Sequence, residues 1–276
     1  MNDLLRAMNE AEKGKLTDEQ KAACMLNIAH LSNKEYGALD KEDGYNCPKC
    51  LNKGYRYGVF QTEYGYLSMS TVECSCMAKR REYQRNRASG LPEGYSFESY
   101  QVNTDWQRLM RDKAKRYLET QAYRQGAWFY AGGAIGAGKT HIVTALAREV
   151  LYNRDVRFIS WLREAREMKA AIKEGRDADY NNALYMLTAA DVLFIDDFFK
   201  GTVTDADLKL AYDILNDRYS ARAATLITSE RTLKQMDKID SAIASRIFER
   251  AGEYAIDIED DDGSKNHRYK VTEGVA

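Results

Sequence analysis

The chain has 276 residues and a formal net charge of −1, with 44% hydrophobic and 30% charged residues. This composition is ordinary for a globular protein, and the length suffices for one full domain and a smaller one. The near-zero net charge gives no electrostatic argument for nucleic acid binding by the surface as a whole. The first residues lack a basic start followed by an apolar stretch, and no segment could span a bilayer. We therefore expect a cytoplasmic protein without membrane contact.

The amino-acid composition of the N-terminal part changes near residue 44. Residues 1–39 are helical in character, and Thr17 and Gln20 have the spacing of a capping box at a helix start. Residues 44–76 are rich in glycine and tyrosine, which predicts short strands and turns. The first helix either docks a partner or packs on this small region, and the pattern favours neither.

Five cysteines lie in the N-terminal region, and four of them form a C-x₂-C and C-x-C set: Cys47, Cys50, Cys74 and Cys76. Four thiolates at this spacing predict a closed, tetrahedral, structural Zn²⁺ site. The metal would stabilise a module too small to fold on its own core. Disulfides or unligated buried thiols are the alternatives. The fifth, Cys24, lies in an apolar helical stretch and is interpreted as a small core residue.

From about residue 96 onward, helical and strand patterns alternate, as a parallel α/β sheet requires. Four short apolar runs predict buried strands at Trp128–Ala131, Val156–Trp161, Val192–Ile195 and Ala224–Thr228. An amphipathic helix is predicted over Asp205–Tyr219, with Thr204 as its N-cap. We expect an N-terminal domain over 1–80, a linker over 81–103 and the main domain over 104–276.

A phosphate-binding loop is the most specific motif in the chain. Gly133–Thr140 fits G-x-x-x-x-G-K-[ST], between a predicted strand and an amphipathic helical segment. Glycines let successive backbone N–H groups face phosphate oxygens, while Lys139 contacts the β- and γ-phosphates and Thr140 ligates Mg²⁺. The motif predicts ATP bound with magnesium. The nucleotide contacts are expected from Gly133, Gly136, Ala137, Gly138, Lys139, Thr140 and His141.

Two acidic residues end the third predicted strand, at the sheet edge where open α/β folds bind ligands. Asp196 should hold the magnesium ion with Thr140, and Asp197 is placed to orient or deprotonate the attacking water. The fourth strand ends in Ser229 and Glu230, so Glu230 is a further candidate for contact with this water.

Together these motifs resemble AAA+ ATPases of the DnaC/DnaI helicase-loader group, which also contains the IstB transposition ATPases. The resemblance implies a P-loop AAA+ domain, in which helices flank a parallel sheet, without a C-terminal helical lid. Its N-terminal zinc ribbon is similar to that of phage and Gram-positive loaders. The matching segments are Ser89–Pro92, Gly133–Thr140, Val192–Asp197, Thr225–Glu230, Ser241–Arg246 and Gly263–Arg268.

The resemblance also assigns roles to three residues. Glu230 takes the position of sensor 1, Arg246 that of the arginine finger that reaches a neighbouring subunit, and Arg268 that of a sensor-2-like arginine. Self-association through Arg246 follows from this assignment. Two positions depart from the pattern, because Asp197 replaces a common glutamate and Glu230 a common asparagine. We therefore expect slow, regulated ATP hydrolysis.

The group implies a function. We expect a loader that binds a hexameric DnaB-type replicative helicase and delivers it to single-stranded DNA, in a bacterium or a phage-infected cell. The alternatives are an IstB-like transposition helper and a P-loop nucleotide kinase. Basic and acidic residues alternate over 162–187, where the group places a DNA-facing insert, and a solvated face explains them equally well. Solvated surface is also expected for the basic residues of 79–87 and the acidic run 259–262.

Overall fold

The computed structural model describes residues 17–260 and 265–266, which form two compact units that divide after Gln84. The predicted helix over the first residues, and Arg268, lie outside the described residues. None of the described helices combines the length and apolar character that crossing a lipid bilayer requires.

The first unit is built from short helices and one hairpin. Its elements are α1 (Asp18–Asn33), α2 (Asp40–Asp43), β1 (Tyr55–Gln61), β2 (Leu67–Glu73) and the start of α3 (Cys76–Ser89). The predicted capping box is confirmed, since the backbone N–H of Gln20 donates to Thr17 Oγ1 at 3.3 Å and that of Thr17 to Gln20 Oε1 at 2.9 Å. The predicted strands are confirmed as an antiparallel hairpin, paired from Tyr55 with Glu73 to Gln61 with Leu67.

The second unit alternates helices and strands. Its strands are β3 (Phe129–Gly133), β4 (Val156–Ser160), β5 (Val192–Asp196), β6 (Ala224–Thr228) and β7 (Ala255–Ile258). Its helices are α4 (Asp105–Glu119), α5 (Lys139–Leu151), α6 (Trp161–Lys173), α7 (Asp177–Thr188), α8 (Asp205–Ser220), α9 (Leu233–Asp237) and α10 (Ser241–Ala251). The 3₁₀ turns Ala122–Gln125 and Gly252–Tyr254 complete it.

The five strands form one parallel sheet in the order β4-β5-β6-β3-β7, which confirms the predicted α/β class. Thr204 caps α8 as predicted, through a capping box with Asp207. The predicted end of β4 at Trp161 is wrong, because Trp161 begins α6 and packs its ring against Phe198. The strand β7 was not predicted, because its four residues are too few to show a strand period. Of the described residues beyond β7, none lies in a helix.

The core lies on both faces of the sheet, because successive residues of a buried strand point to opposite sides. On one face Phe129, Phe194 and Leu226 pack under α4 and α5. On the other face Leu193 and Ile227 pack under α6, α8 and α10. The strands are therefore mostly apolar, with Arg157, Thr225 and Asp257 among the exceptions, which is why the sequence shows four of the five as short apolar runs.

Arg218, near the end of α8, is fully buried and is satisfied by neutral acceptors. Its guanidinium donates to backbone oxygens of four residues and to one hydroxyl: Leu187, Thr188, Ala190, Ala224 and Thr225 Oγ1, at 2.5–3.1 Å. Burial lowers the pKa of Arg218 to about 10. One side chain thus joins the end of α7 and the beginning of β6.

We expect the substitution Arg218→Met to lower the free energy of unfolding by about 2–4 kcal/mol, because methionine leaves several buried carbonyls without a donor. Urea unfolding followed by circular dichroism measures the change. The exposed Arg154, changed to methionine, is the matched control and should stay within about 0.5 kcal/mol of the original chain. An equal loss in both variants would contradict the role given to Arg218.

Candidate functional site

The loop between β3 and α5 carries the predicted glycines, and its backbone is curled back on the sheet. Gly133 has φ +98°, and a Cβ placed there would lie 2.1 Å from the carbonyl oxygen of Ile258 in β7. Gly136 and Gly138 also have positive φ, at +72° and +84°. A side chain at Gly133 would therefore break the contact between the loop and β7, which explains the glycine at the first motif position.

Lys139, the first residue of α5, is buried and lies along this loop. Its Nζ donates to the carbonyl oxygens of Gly133 at 2.9 Å and Ala134 at 2.6 Å. Burial lowers the pKa of Lys139 to about 8, while the nearby carboxylates, Glu230 first, act in the opposite direction. The ammonium group is thus held at the loop and shares its surroundings with acidic side chains.

Asp196, at the end of β5, connects three elements through one oxygen atom. Its Oδ1 accepts hydrogen bonds from Thr140 Oγ1 at 2.8 Å and from Thr228 Oγ1 at 2.6 Å. Burial raises the pKa of Asp196, while the two hydroxyl donors act to lower it. The structure therefore brings together Thr140 and Asp196, the two residues expected to hold magnesium.

Asp197 and Glu230 are also brought close to each other, through a lysine that the sequence analysis missed. Lys200 Nζ lies 2.8 Å from Asp197 Oδ2 and 3.0 Å from Glu230 Oε1. The backbone of Asp197 is left-handed, with φ +55°, and its N–H donates to Thr228 Oγ1 at 3.0 Å. In the sequence, the one sign of the contact between Asp197 and Lys200 is their spacing of three residues.

A cavity of about 680 Å³ opens beside the loop. Ile135 of the loop lines it, together with Glu230 and Lys238. The ring of the expected contact residue His141 packs against residues 95–100, where its Nε2 lies 3.0 Å from the Ser96 carbonyl oxygen. The side chain of His141 thus secures α5 to this segment. Its backbone N–H is the group that remains for the expected contact with the nucleotide.

Arg246 lies on α10 and contacts α8. Its guanidinium donates to Tyr212 Oη at 3.1 Å and to Asn216 Oδ1 at 3.0 Å, and it also lies over the Tyr212 ring at 4.8 Å. Its hydrogen bonds to described residues stay within these two helices, so the structure does not place it at the loop of its own chain.

The four predicted cysteines converge in the first unit. Their sulfur atoms all lie within 4.8 Å of one another and all four residues are buried. None of the five cysteines is in a disulfide in this structure. Burial raises the pKa of the Cys47 thiol, but backbone hydrogen bonds from Cys50 and Lys49 outweigh it and lower the pKa to about 7. Burial raises that of Cys76 to about 12. Four converging thiols match the donor set of a structural zinc site.

The basic residues of 79–87 are not uniformly solvated surface, so that expectation is wrong for one of them. Arg80 is buried in an ion pair with Asp43, and its Nη2 donates to the Tyr45 carbonyl oxygen at 2.8 Å. Arg81 is exposed and pairs with Glu73 at 2.7 Å. Arg80 supports the cysteine region, because it also contacts Asn52, whose Oδ1 accepts from the backbone N–H of Cys47.

The charged segment over 162–187 forms α6 and α7, and two of its basic side chains are paired within the second unit. Lys169 contacts Asp207 of α8 at 2.5 Å, while Arg176 pairs with Glu174 and Asp179 at 2.9 and 2.7 Å. These pairs agree with a mixed, solvated face.

The two hydroxyl donors to Asp196 generate a prediction. In Thr228→Val the pKa of Asp196 should rise further above its ordinary value, because a donor that stabilises the carboxylate is removed. Carbon-detected NMR titration of labelled aspartate measures this, and the midpoint should move to higher pH. Thr228→Ser keeps the hydroxyl and should leave the midpoint in place. A midpoint equal in the two variants would contradict the hydrogen-bond assignment.

Comparison with known proteins gives curated relatives of similar length. The chain is 29% identical to phage-like element PBSX protein XkdC of Bacillus subtilis, over 81% of this chain and 86% of that protein. It is 23% identical to the replicative helicase loader DnaC of Escherichia coli K12, over 82% of this chain and 90% of DnaC.

Solved structures share the fold. DnaA of Aquifex aeolicus bound to AMPPCP superposes with a TM-score of 0.52 and 22% identity, over 67% of this chain and 56% of DnaA. DnaA bound to AMPPCP and single-stranded DNA gives a TM-score of 0.53 and 24% identity, over the same shares of the two chains. At these identities the likeness establishes the fold.

The family comparison covers most of the chain. The model for the IstB-like ATP binding protein family matches residues 67–270, which include the whole loop from Gly133 to Thr140 and both Asp196 and Asp197. With the parallel sheet and the loop geometry described above, the chain belongs to the family of IstB-like ATP-binding proteins, with the AAA+ fold.

Proposed function

We propose that this chain is an ATP-dependent loader, which binds a hexameric replicative helicase and delivers it to single-stranded DNA. The observation that carries the proposal is the pair of hydrogen bonds that Thr140 and Thr228 donate to Asp196, an arrangement suited to a magnesium-nucleotide site. It occurs in a chain that is similar to DnaC along most of both proteins. The four-cysteine cluster in the first unit adds a separate module suited to holding a protein partner.

The proposed chemistry is ATP hydrolysis. The loop N–H groups and Lys139 bind the phosphates, and Thr140 and Asp196 hold the magnesium ion. Bound magnesium neutralises the charge that develops on the phosphate oxygens. Asp197 orients the attacking water and accepts its proton. Asp197 is one methylene shorter than glutamate, so turnover is slow and responds to a partner or to DNA.

Assembly into an oligomer is part of the proposal. Arg246 would serve the nucleotide site of a neighbouring subunit, as an arginine finger does, after leaving Tyr212 and Asn216. Arg268 would contact the phosphates from within its own chain. The N-terminal domain over 1–80 would bind the helicase, the segment 81–103 would connect it, and residues 104–276 would form the ATPase domain.

A second candidate is a transposition helper ATPase of the IstB type. The observation that favours it is the family match itself, which spans residues 67–270. Such a protein would organise DNA for a transposase and would have no affinity for a replicative helicase, so partner identity separates the two functions.

The zinc assignment is tested by metal content. The purified chain should hold about one zinc ion, because four thiolates complete a tetrahedral shell. Cys50→Ser should lose the ion and become sensitive to proteolysis within the first unit, since metal binding and folding of such modules are coupled. Cys24→Ser is the matched control and should keep the ion. Elemental analysis and limited proteolysis measure both effects, and zinc retained by the Cys50 variant would exclude this site.

The loader function is tested by capture of partners from native cell extract with ATP, followed by mass spectrometry. The original chain should recover a replicative helicase, and Lys139→Ala should lose it because the phosphates are no longer bound. Lys209→Ala removes an exposed lysine of α8 and is the control. Recovery of a transposase would instead support the second candidate, and recovery of neither protein would contradict both.

A further inference from the structure

Lys200 lies at the centre of a three-residue ionic contact beside the nucleotide site. The side chains of Lys200, Asp197 and Glu230 are 37%, 32% and 25% exposed, so all three are partly desolvated. Hydrogen bonds to both carboxylates raise the pKa of Lys200, that to Asp197 most strongly, which keeps the side chain positively charged. Lys200 is absent from every motif used to recognise the site.

The backbone around Lys200 is held in place by side chains of the segment that follows β6. Arg231 donates from Nε to the Phe199 carbonyl oxygen at 3.2 Å and from Nη2 to that of Gly201 at 2.7 Å. Ser229 Oγ donates to the Phe198 carbonyl oxygen at 2.8 Å. These contacts hold the backbone on both sides of Lys200, and its ammonium group is held in turn by the two carboxylates.

The charges near the loop explain why a cation is needed there. Three carboxylates and two ammonium groups act on one another at this edge of the sheet: Asp196, Asp197, Glu230, Lys139 and Lys200. With all five ionised, the cluster has a charge of −1, and without Lys200 it has −2. A doubled negative charge repels a triphosphate more than a diphosphate, because the triphosphate carries the larger charge.

We propose that Lys200 is a positioning residue that offsets the charge of Glu230 and holds Asp197, and that it thereby lets this site accept ATP in preference to ADP. The proposal rests on the proposed function, since it concerns the same nucleotide site. It also accounts for an acidic residue at the sensor-1 position, because Glu230 and Lys200 together present a neutral pair to the γ-phosphate.

The first test measures nucleotide affinity by titration calorimetry with magnesium present. Lys200→Met should weaken ATP binding by about tenfold and ADP binding by less, since the unbalanced carboxylate acts mainly on the larger phosphate charge. Lys200→Arg keeps the cation and should bind ATP within about threefold of the original chain. Lys209→Met makes the same chemical change at an exposed position of α8 and should change neither affinity.

The second test asks whether the effect is electrostatic. Adding Glu230→Gln to Lys200→Met should restore most of the ATP affinity, because the uncompensated charge is removed. A purely structural role for Lys200 predicts no rescue, and that result would overturn the inference. Unchanged ATP and ADP affinities in Lys200→Met would also overturn it while the proposed function stands. If the original chain itself fails to bind ATP, the proposed function and the inference both fall.

Discussion

One carboxylate oxygen, Asp196 Oδ1, is the point on which the functional edge of the sheet depends. It accepts from the first turn of α5 through Thr140 and from the end of β6 through Thr228. The parallel register that pairs Ile195 with Ile227 brings the ends of β5 and β6 level, so the Thr228 hydroxyl reaches this oxygen. A buried carboxylate without donors would be protonated or would destabilise the edge. These donors therefore maintain the charge and the geometry together.

The charged groups around Asp196 Oδ1 also depend on one another. Burial disfavours the charged forms of both Lys139 and Asp196, and each is kept ionised by groups of opposite sign or by hydrogen-bond donors. Such balanced clusters are typical of sites that receive a multiply charged ligand. Lys200 and Glu230 belong to this cluster of charges although neither lies in the phosphate-binding loop.

The sequence was sufficient for features encoded by short spacing. The loop from Gly133 to Thr140, the strand that ends in Asp196, the capping box at Thr17 and the α/β class all follow from local patterns, and the structure has each of them. It was not sufficient for contacts between distant segments. The partners of Arg80 and Arg218 lie up to 37 and 31 residues away, and a charged residue in a sequence carries no sign that it will be buried.

The strand β7 shows a similar limit, because its identity as a strand comes from pairing with β3 rather than from its own four residues. Lys200 was missed for another reason. Lys200 follows Asp197 by only three residues in the sequence, but its contact with Glu230 depends on where β6 ends. Neither segment carries a pattern that predicts contact with the other. Residues that complete a site electrostatically are therefore the ones most easily lost when a site is defined by its motif.

The anchoring of the α6–α7 pair has an evolutionary consequence. Arg218 holds the last residues of α7 through the carbonyl groups of Leu187 and Thr188, so this end cannot shift without disturbing the sheet. The turn between the two helices is different, since a Cβ placed at Gly175 would meet no other atom within 4 Å. Insertions and deletions should therefore accumulate at this turn, where the chain can change in length while the edge of the sheet that carries Asp196 keeps its register.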